Sequence, residues 1–318
     1  MKKSKKTIIL TILLIFGIST GGFSLSLEDI QDGVAGFSSN IAQSLPFNST
    51  LGLNWSNAYI GKLFPSIPPH FGAGLSLGFT TFDSGVINSM AALFNESLPW
   101  DMDKLILPVY TAEARIGGLF LPFDVGFKVG YLPEIDLFGL DVNYLLVGAD
   151  VRYAVMEGNI ILPQISVGVG LNYLEGGIGV RGSNFTVDFD EGGGGSLTIA
   201  NPRIGLEWST YTLDLRAQIS KSFIIITPYA GIGATYGWST AGYNIRADIS
   251  GDINEAGENY GIVITDAGMS SMVDNESLGF RAFGGLSVNL AILKIDLAGL
   301  YSFSDGNYGV SLGFRFQL

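Results

Sequence analysis

The sequence predicts an all-β protein: a single antiparallel up-and-down transmembrane β-barrel of about 10–12 strands, in a range of roughly 8–14, with a short N-terminal helix. Three observations carry that reading. From Tyr308 to Leu318 the chain alternates without a break, with Tyr308, Val310, Leu312, Phe314, Phe316 and Leu318 apolar and the residues between them small or polar. Such a strand offers one face to lipid and the other to water. No stretch beyond the N-terminal leader is long and apolar enough for a membrane helix, yet 47% of residues are hydrophobic and the mean hydropathy is +0.37. Only strands are left to carry that apolarity, and segments of about ten residues with period 2 recur along the chain.

Lys2, Lys3, Lys5 and Lys6 precede an apolar run from Thr7 to Ile18, and Gly22-Phe23-Ser24 offers a small-x-small cleavage site. Residues 1–24 therefore read as a secretory signal peptide cleaved near Ser24, which implies Sec export. With no Cys in the chain there is neither a lipoprotein acylation site nor a disulfide framework. Residues 25–48 form the next unit. There Leu27, Ile30, Val34, Phe37, Ile41 and Leu45 recur at intervals of three and four, the stripe of an amphipathic helix. That helix is a periplasmic cap, a membrane-surface helix, or a plug entering the lumen from a periplasmic chain start.

Residues 49–318 are assigned to the barrel. The expected strands are Ser49 to Gly61, Phe71 to Phe79, Val109 to Gly117, Phe123 to Tyr131, Leu145 to Val155, Ile165 to Tyr173, Tyr211 to Ile219, Ile226 to Trp238, Leu278 to Leu290, Leu293 to Phe303 and Tyr308 to Leu318. That number is odd, whereas a barrel with both ends in the periplasm needs an even one, so one strand is miscounted. The suspects are Leu197 to Trp208 and Gly179 to Phe189. Short turns near Gly118, Glu157, Ser220 and Ala291 sort to one side. The longer insertions Asp83 to Leu107, Leu174 to Ala200 and Ser239 to Ser277 sort to the other, the pattern of periplasmic turns and outer loops.

On the interrupting, polar face of the strands stand Glu113 with Arg115, Asp124 with Lys128, Asp150 with Arg152, Asp214 with Arg216, Lys294 with Asp296, and Arg281 and Arg315 alone. A charge facing lipid at mid-membrane costs about 2–4 kcal/mol, so these side chains are expected in the lumen. They comprise five acids and seven bases, a sum of +2, whereas the exported chain carries −16. Acidity therefore concentrates outside the strands. There it serves solubility, or bridges divalent cations to anionic lipid headgroups through clusters such as Asp188, Asp190 and Glu191, or Asp252, Glu255 and Glu258.

Thr227-Pro228-Tyr229-Ala230-Gly231-Ile232-Gly233-Ala234-Thr235-Tyr236, with the terminal Phe314-Arg315-Phe316-Gln317-Leu318, resembles the bacterial outer-membrane β-barrel proteins of the opacity and outer-membrane-protein-A type. The resemblance implies residence in the outer-membrane lipid of a Gram-negative-type envelope. It also implies insertion by the barrel-assembly machinery, for which Tyr308, Phe314, Phe316 and Leu318 would be the C-terminal signal. It names no cargo.

Catalytic strings weigh little. Gly74-Leu75-Ser76-Leu77-Gly78 and Gly309-Val310-Ser311-Leu312-Gly313 match G-x-S-x-G, but both lie within strands where the motif needs a strand-to-helix turn. His70, the only histidine, is six residues from Ser76, about 20 Å along a strand. Gly177, Gly179 and Gly182 form a G-x-G-x-x-G that reads as a loop. The expectation is no enzyme, no cofactor, no metal and no nucleic acid. A small porin-like channel for passive transport of small solutes leads; a non-conducting structural or surface-binding, adhesin-like barrel and a plugged, fatty-acid-channel-like transporter are the alternatives.

Overall fold

The computed structural model describes residues 27–64, 66, 69–83, 104–137, 139–189, 195–255 and 258–318. Among the described residues one helix, α1 (Leu27–Asn48), precedes eleven strands: β1 (Phe71–Asp83), β2 (Lys104–Gly117), β3 (Phe123–Leu137), β4 (Leu140–Met156), β5 (Gln164–Arg181), β6 (Phe185–Phe189), β7 (Gly195–Ser220), β8 (Ile226–Glu255), β9 (Glu258–Leu290), β10 (Leu293–Ser302) and β11 (Tyr308–Gln317). Ten of them close a ring of antiparallel neighbours, because β1 pairs with β11 and β5 pairs directly with β7. The short β6 hangs on β7 outside the ring. Leu318 N–H donates to Phe71 O across the closing seam (3.0 Å).

The outward face is the one the alternation marked. Leu75, Leu77, Val151, Leu171, Leu215, Phe280, Leu297 and the terminal Tyr308, Phe314, Phe316 and Leu318 are all exposed on the outside. A continuous belt of this kind is the surface of a membrane barrel, not of a water-soluble one. It runs on into the short turns, where Phe120, Ile161 and Ile224 stand exposed as well.

Four expectations are corrected. Ser49 to Gly61 is not a strand: it forms no sheet pairing, and the first barrel strand begins at Phe71. Removing it restores an even ring of ten. Leu197 to Trp208 is the upper half of β7: its phase differs from that of Tyr211 onward because Leu206 and Trp208 are buried inside while Tyr211 and Leu215 are exposed outside, with the register unbroken between them. Ser239 to Ser277 is strand, not loop: β8 and β9 run 30 and 33 residues against each other, where crossing a bilayer takes about 9–11. The same holds for much of Leu174 to Ala200, so Gly177 and Gly179 are strand residues of β5 rather than a loop. The signal peptide, residues 84–103 of the Asp83 to Leu107 insertion, and Asp190 with Glu191 lie outside the described residues.

At this long-strand end β6 to β9 form a sheet extension with its own apolar cluster of Leu197, Ile199 and Ile249, flanked by Phe185, Ile262 and Ile264. Asp248 ties it together by accepting the Asp266 backbone N–H (3.0 Å) and the Asn201 amide (3.2 Å). Those hydrogen bonds hold its carboxyl below the ordinary range.

Candidate functional site: a filled lumen

Along β2, β4 and β7 the inward positions change character at one level, while the inward Tyr229 of β8 and Phe283 of β9 form an apolar cluster with Phe47, Ala298 and Leu300. On β4 they read Leu140, Val142, Tyr144, Leu146, Gly148, Asp150 and Arg152 from the long-strand end toward the short-turn rim, all buried. On β2 they read Leu107, Val109, Thr111, Glu113 and Arg115, and on β7 Leu206, Trp208, Thr210, Thr212, Asp214 and Arg216. The lumen is thus apolar in one half and charged in the other. Alternation hides the apolar half: Leu145 and Val147 face outward while Tyr144 and Leu146 face in, and the segment reads as one apolar run.

All twelve charges named from the sequence sit on the inward face, and all but Lys294, which is half-buried, are buried. Their ion-pair partners come from other strands, adjacent or next but one, rather than from two residues away on the same strand. Arg115 bonds Asp124 (2.5 Å) and Asp150 (2.8 Å), and Arg152 bonds Asp124 through Nε and Nη2 (2.8 and 2.9 Å). Arg216 pairs with Asp150, Arg281 with Asp214 (2.9 Å) and Arg315 with Asp296 (2.8 Å). Arg281 on β9 reaches Asp214 on β7 by crossing β8 at Gly233, where a Cβ would come within 3.2 Å of its Nε.

The charges also hold the chain segment that fills the barrel. Lys128 Nζ donates to Ser49 O and Leu51 O (2.7 and 2.5 Å), Arg152 to Asn57 O (2.7 Å), and Gln218 to Trp55 O and Ser56 O (2.8 and 3.1 Å). Tyr229 OH, from the Pro-Tyr string, donates to Asn54 O (3.0 Å). Asn57 Oδ1 accepts from Lys294 and Arg315 (3.0 and 3.1 Å). In return the Ile60 N–H donates to Asp124 (3.1 Å) and the Ala58 N–H to Ser220 Oγ (2.9 Å). Irregular backbone is tolerable at membrane depth only when protein satisfies it in this way. Trp55 is the anchor: its Nε1 donates to Glu113 (2.6 Å), while the Arg315 and Arg115 guanidinium carbons lie 4.5 and 5.6 Å from its ring.

The segment has a direction. Ser39 meets Asn275, Gln43 meets Ser277, and Pro46 fits against Gly237, where a Cβ would fall 2.1 Å from its ring. Ser49 to Leu51 then meet Lys128, and Ile60 meets Asp124 near the start of β3. The chain therefore descends from the long-strand end, through the lumen, to the short-turn rim, where His70 Nδ1 lies 3.1 Å from Leu318 O. A plug entering at the short-turn rim, the rim the sequence reading assigns to the periplasm, would run the other way. Ile41, Ala42 and Leu45 of α1 pack in the apolar half, and the uncharged Ser49–Ile60 run occupies the charged half. A cavity of about 20 Å³ remains beside Trp55, room for one or two waters.

Sequence reasoning missed Trp55, Ser56, Asn57, Gln218 and Tyr229. The available signal was Asn54-Trp55-Ser56-Asn57, a run of amides and a hydroxyl around one aromatic in a supposed strand with weak alternation. Ser76 faces the lumen on β1, opposite Gly313, and Ser311 faces it on β11, both in unbroken strands without an elbow turn.

Residues 76–318 match a family of unknown function (DUF6588). No curated protein matches the chain. Among solved structures, Ail, the attachment invasion locus protein of Yersinia pestis, is similar at 12% identity, covering 78% of this chain and 98% of that one, with a TM-score of 0.29. The outer membrane protease OmpT of Escherichia coli is similar at 9% identity over 82% of this chain and all of the other, TM-score 0.36. A FadL homologue of Pseudomonas aeruginosa is 9% identical over 89% and 96%, TM-score 0.25. Likenesses at this level assign no function to the chain.

Proposed function

The chain belongs to the DUF6588 family, and from that premise we propose that it is an outer-membrane solute channel held shut by its own N-terminal segment. The apolar belt supports residence in outer-membrane lipid, with the short-turn rim in the periplasm and the long strands outside. The leader supports Sec export, and the outward aromatic end of β11 supports delivery to the assembly machinery. One observation carries the channel reading. A separable piece of chain completes the filling of the lumen, packed among the strands' own side chains and against β1, which lines it only with Gly72, Gly74, Ser76 and Gly78. A ring wider than eight strands needs such a filling or leaves a passage.

The test is planar-bilayer recording of the full chain and of a Trp55→Ala, Asn57→Ala variant that loosens the segment. The expected result is a largely silent parent and frequent openings in the variant. If both are silent, the non-conducting surface-binding reading takes its place; the β6–β9 extension, which reaches well beyond the membrane belt, favours that second reading.

A further inference from the structure

The two surplus cations of the lumen can be identified. Every arginine of the set has a carboxylate partner, whereas Lys128 and Lys294 have none within ion-pair distance among the described residues. Both donate instead to oxygen atoms of the inserted segment: Lys128 to Ser49 O and Leu51 O, Lys294 to Asn57 Oδ1. Between Gly33 and Gly61 that segment carries no charged residue, so it offers acceptors without neutralising the surplus. Arg115 Nε, Arg216 Nε and Arg281 Nη1, all in buried side chains, are left with no hydrogen-bond acceptor among the described residues. With Glu113 opposite Lys128 in register and Asp296 two residues from Lys294, each carboxylate beyond ion-pair distance, the direct hydrogen bonds of both lysines go to uncharged oxygens, which stabilise a cation less well than a contacting anion would.

The segment is also a cast of the space it fills. Its upper part is apolar, where Ile41, Ala42 and Leu45 pack among Phe82, Trp208 and Tyr243; its lower part is a string of oxygen acceptors against cations. We propose that the lumen takes an organic anion with a carboxylate or phosphate head and a short apolar body, which displaces the segment by seating the head at Lys128 and Lys294 and the body in the apolar half. This rests on the plugged-lumen reading and adds the solute's class.

The site is tested in the full chain in non-ionic detergent by the rate at which a maleimide labels Ser44→Cys, a buried position of α1. The probes are 4-phenylbutyrate, 4-phenylbutylamine with a similar body and opposite charge, and acetate with the head alone. Phenylbutyrate is expected to raise the rate several-fold and the other two to leave it unchanged. Lys128→Gln with Lys294→Gln keeps donors for the segment but removes the charge, and should abolish the response. No acceleration, equal acceleration by the amine, or a response that survives the double substitution overturns the proposal. If the cysteine variant does not fold, tryptophan fluorescence of the unmodified chain is titrated with the same probes, and absence of an anion-selective change overturns it. A response here with silent bilayers leaves a binding site without a channel; openings without a response leave a channel of another selectivity.

Discussion

Asp124 is completely buried, accepts from Arg115, Arg152 and the Ile60 N–H, and so belongs to barrel and inserted segment at once. Removing one member of such a group strands the others without solvent. Arg152→Leu should therefore cost about 3–5 kcal/mol, and adding Asp124→Asn should recover part of that loss. On the other face of the same strand Val151 is 43% exposed, and Val151→Arg should cost about 2–4 kcal/mol by placing a charge in hydrocarbon. Heat-modifiable gel mobility across a denaturant series measures the parent, Arg152→Leu, Asp124→Asn, their double variant and Val151→Arg; additive losses in the double variant would refute the coupling. The sequence made the facing of residues 151 and 152 legible, because period 2 records which side is wet. It could not reveal that Asp124 serves two arginines, since cross-strand partners depend on register, which alternation alone leaves open.

Among the elements, α1 depends on β8. Pro46 occupies the space a side chain at 237 would need, with Thr210 on β7 beside it. Gly237→Val should push the helix from its seat, and the expected outcome is faster maleimide labelling at Ser44→Cys with the barrel still closed. Unchanged labelling would mean that the segment repacks around the new side chain. Elements with one wet face were readable from the sequence. The long halves of β8 and β9 were not, because polar residues on both faces remove the period that marks a strand. Ser49 to Gly61 failed in the opposite sense: its weak alternation belongs to a segment whose residues 49–60 are all buried inside the barrel, where apolar and polar side chains alike find partners without forming a strand.

For the whole molecule the descent of the N-terminal segment fixes a topology. The proposed orientation puts the β8–β9 hairpin and the start of α1 on the cell surface and the short turns in the periplasm. Epitopes inserted ahead of Leu27 and within 256–257 should both be reached by antibody on intact cells, while one in the 221–225 turn should need permeabilisation. Detection of the Leu27 epitope only after permeabilisation would mean that the segment enters from below in the living envelope.

The passage of one chain through a ring closed by that same chain has a temporal consequence. The segment is joined through Gly61 to His70 to β1, and β1 is the strand that receives β11 when the ring shuts. A thread already tethered to the hoop can be caught by wrapping, before the seam forms, far more readily than by later insertion of its free end past the apolar mouth. Assembly then ends with the occupant already inside, so the first state of the finished barrel is the locked one, and opening is an act performed on a completed molecule.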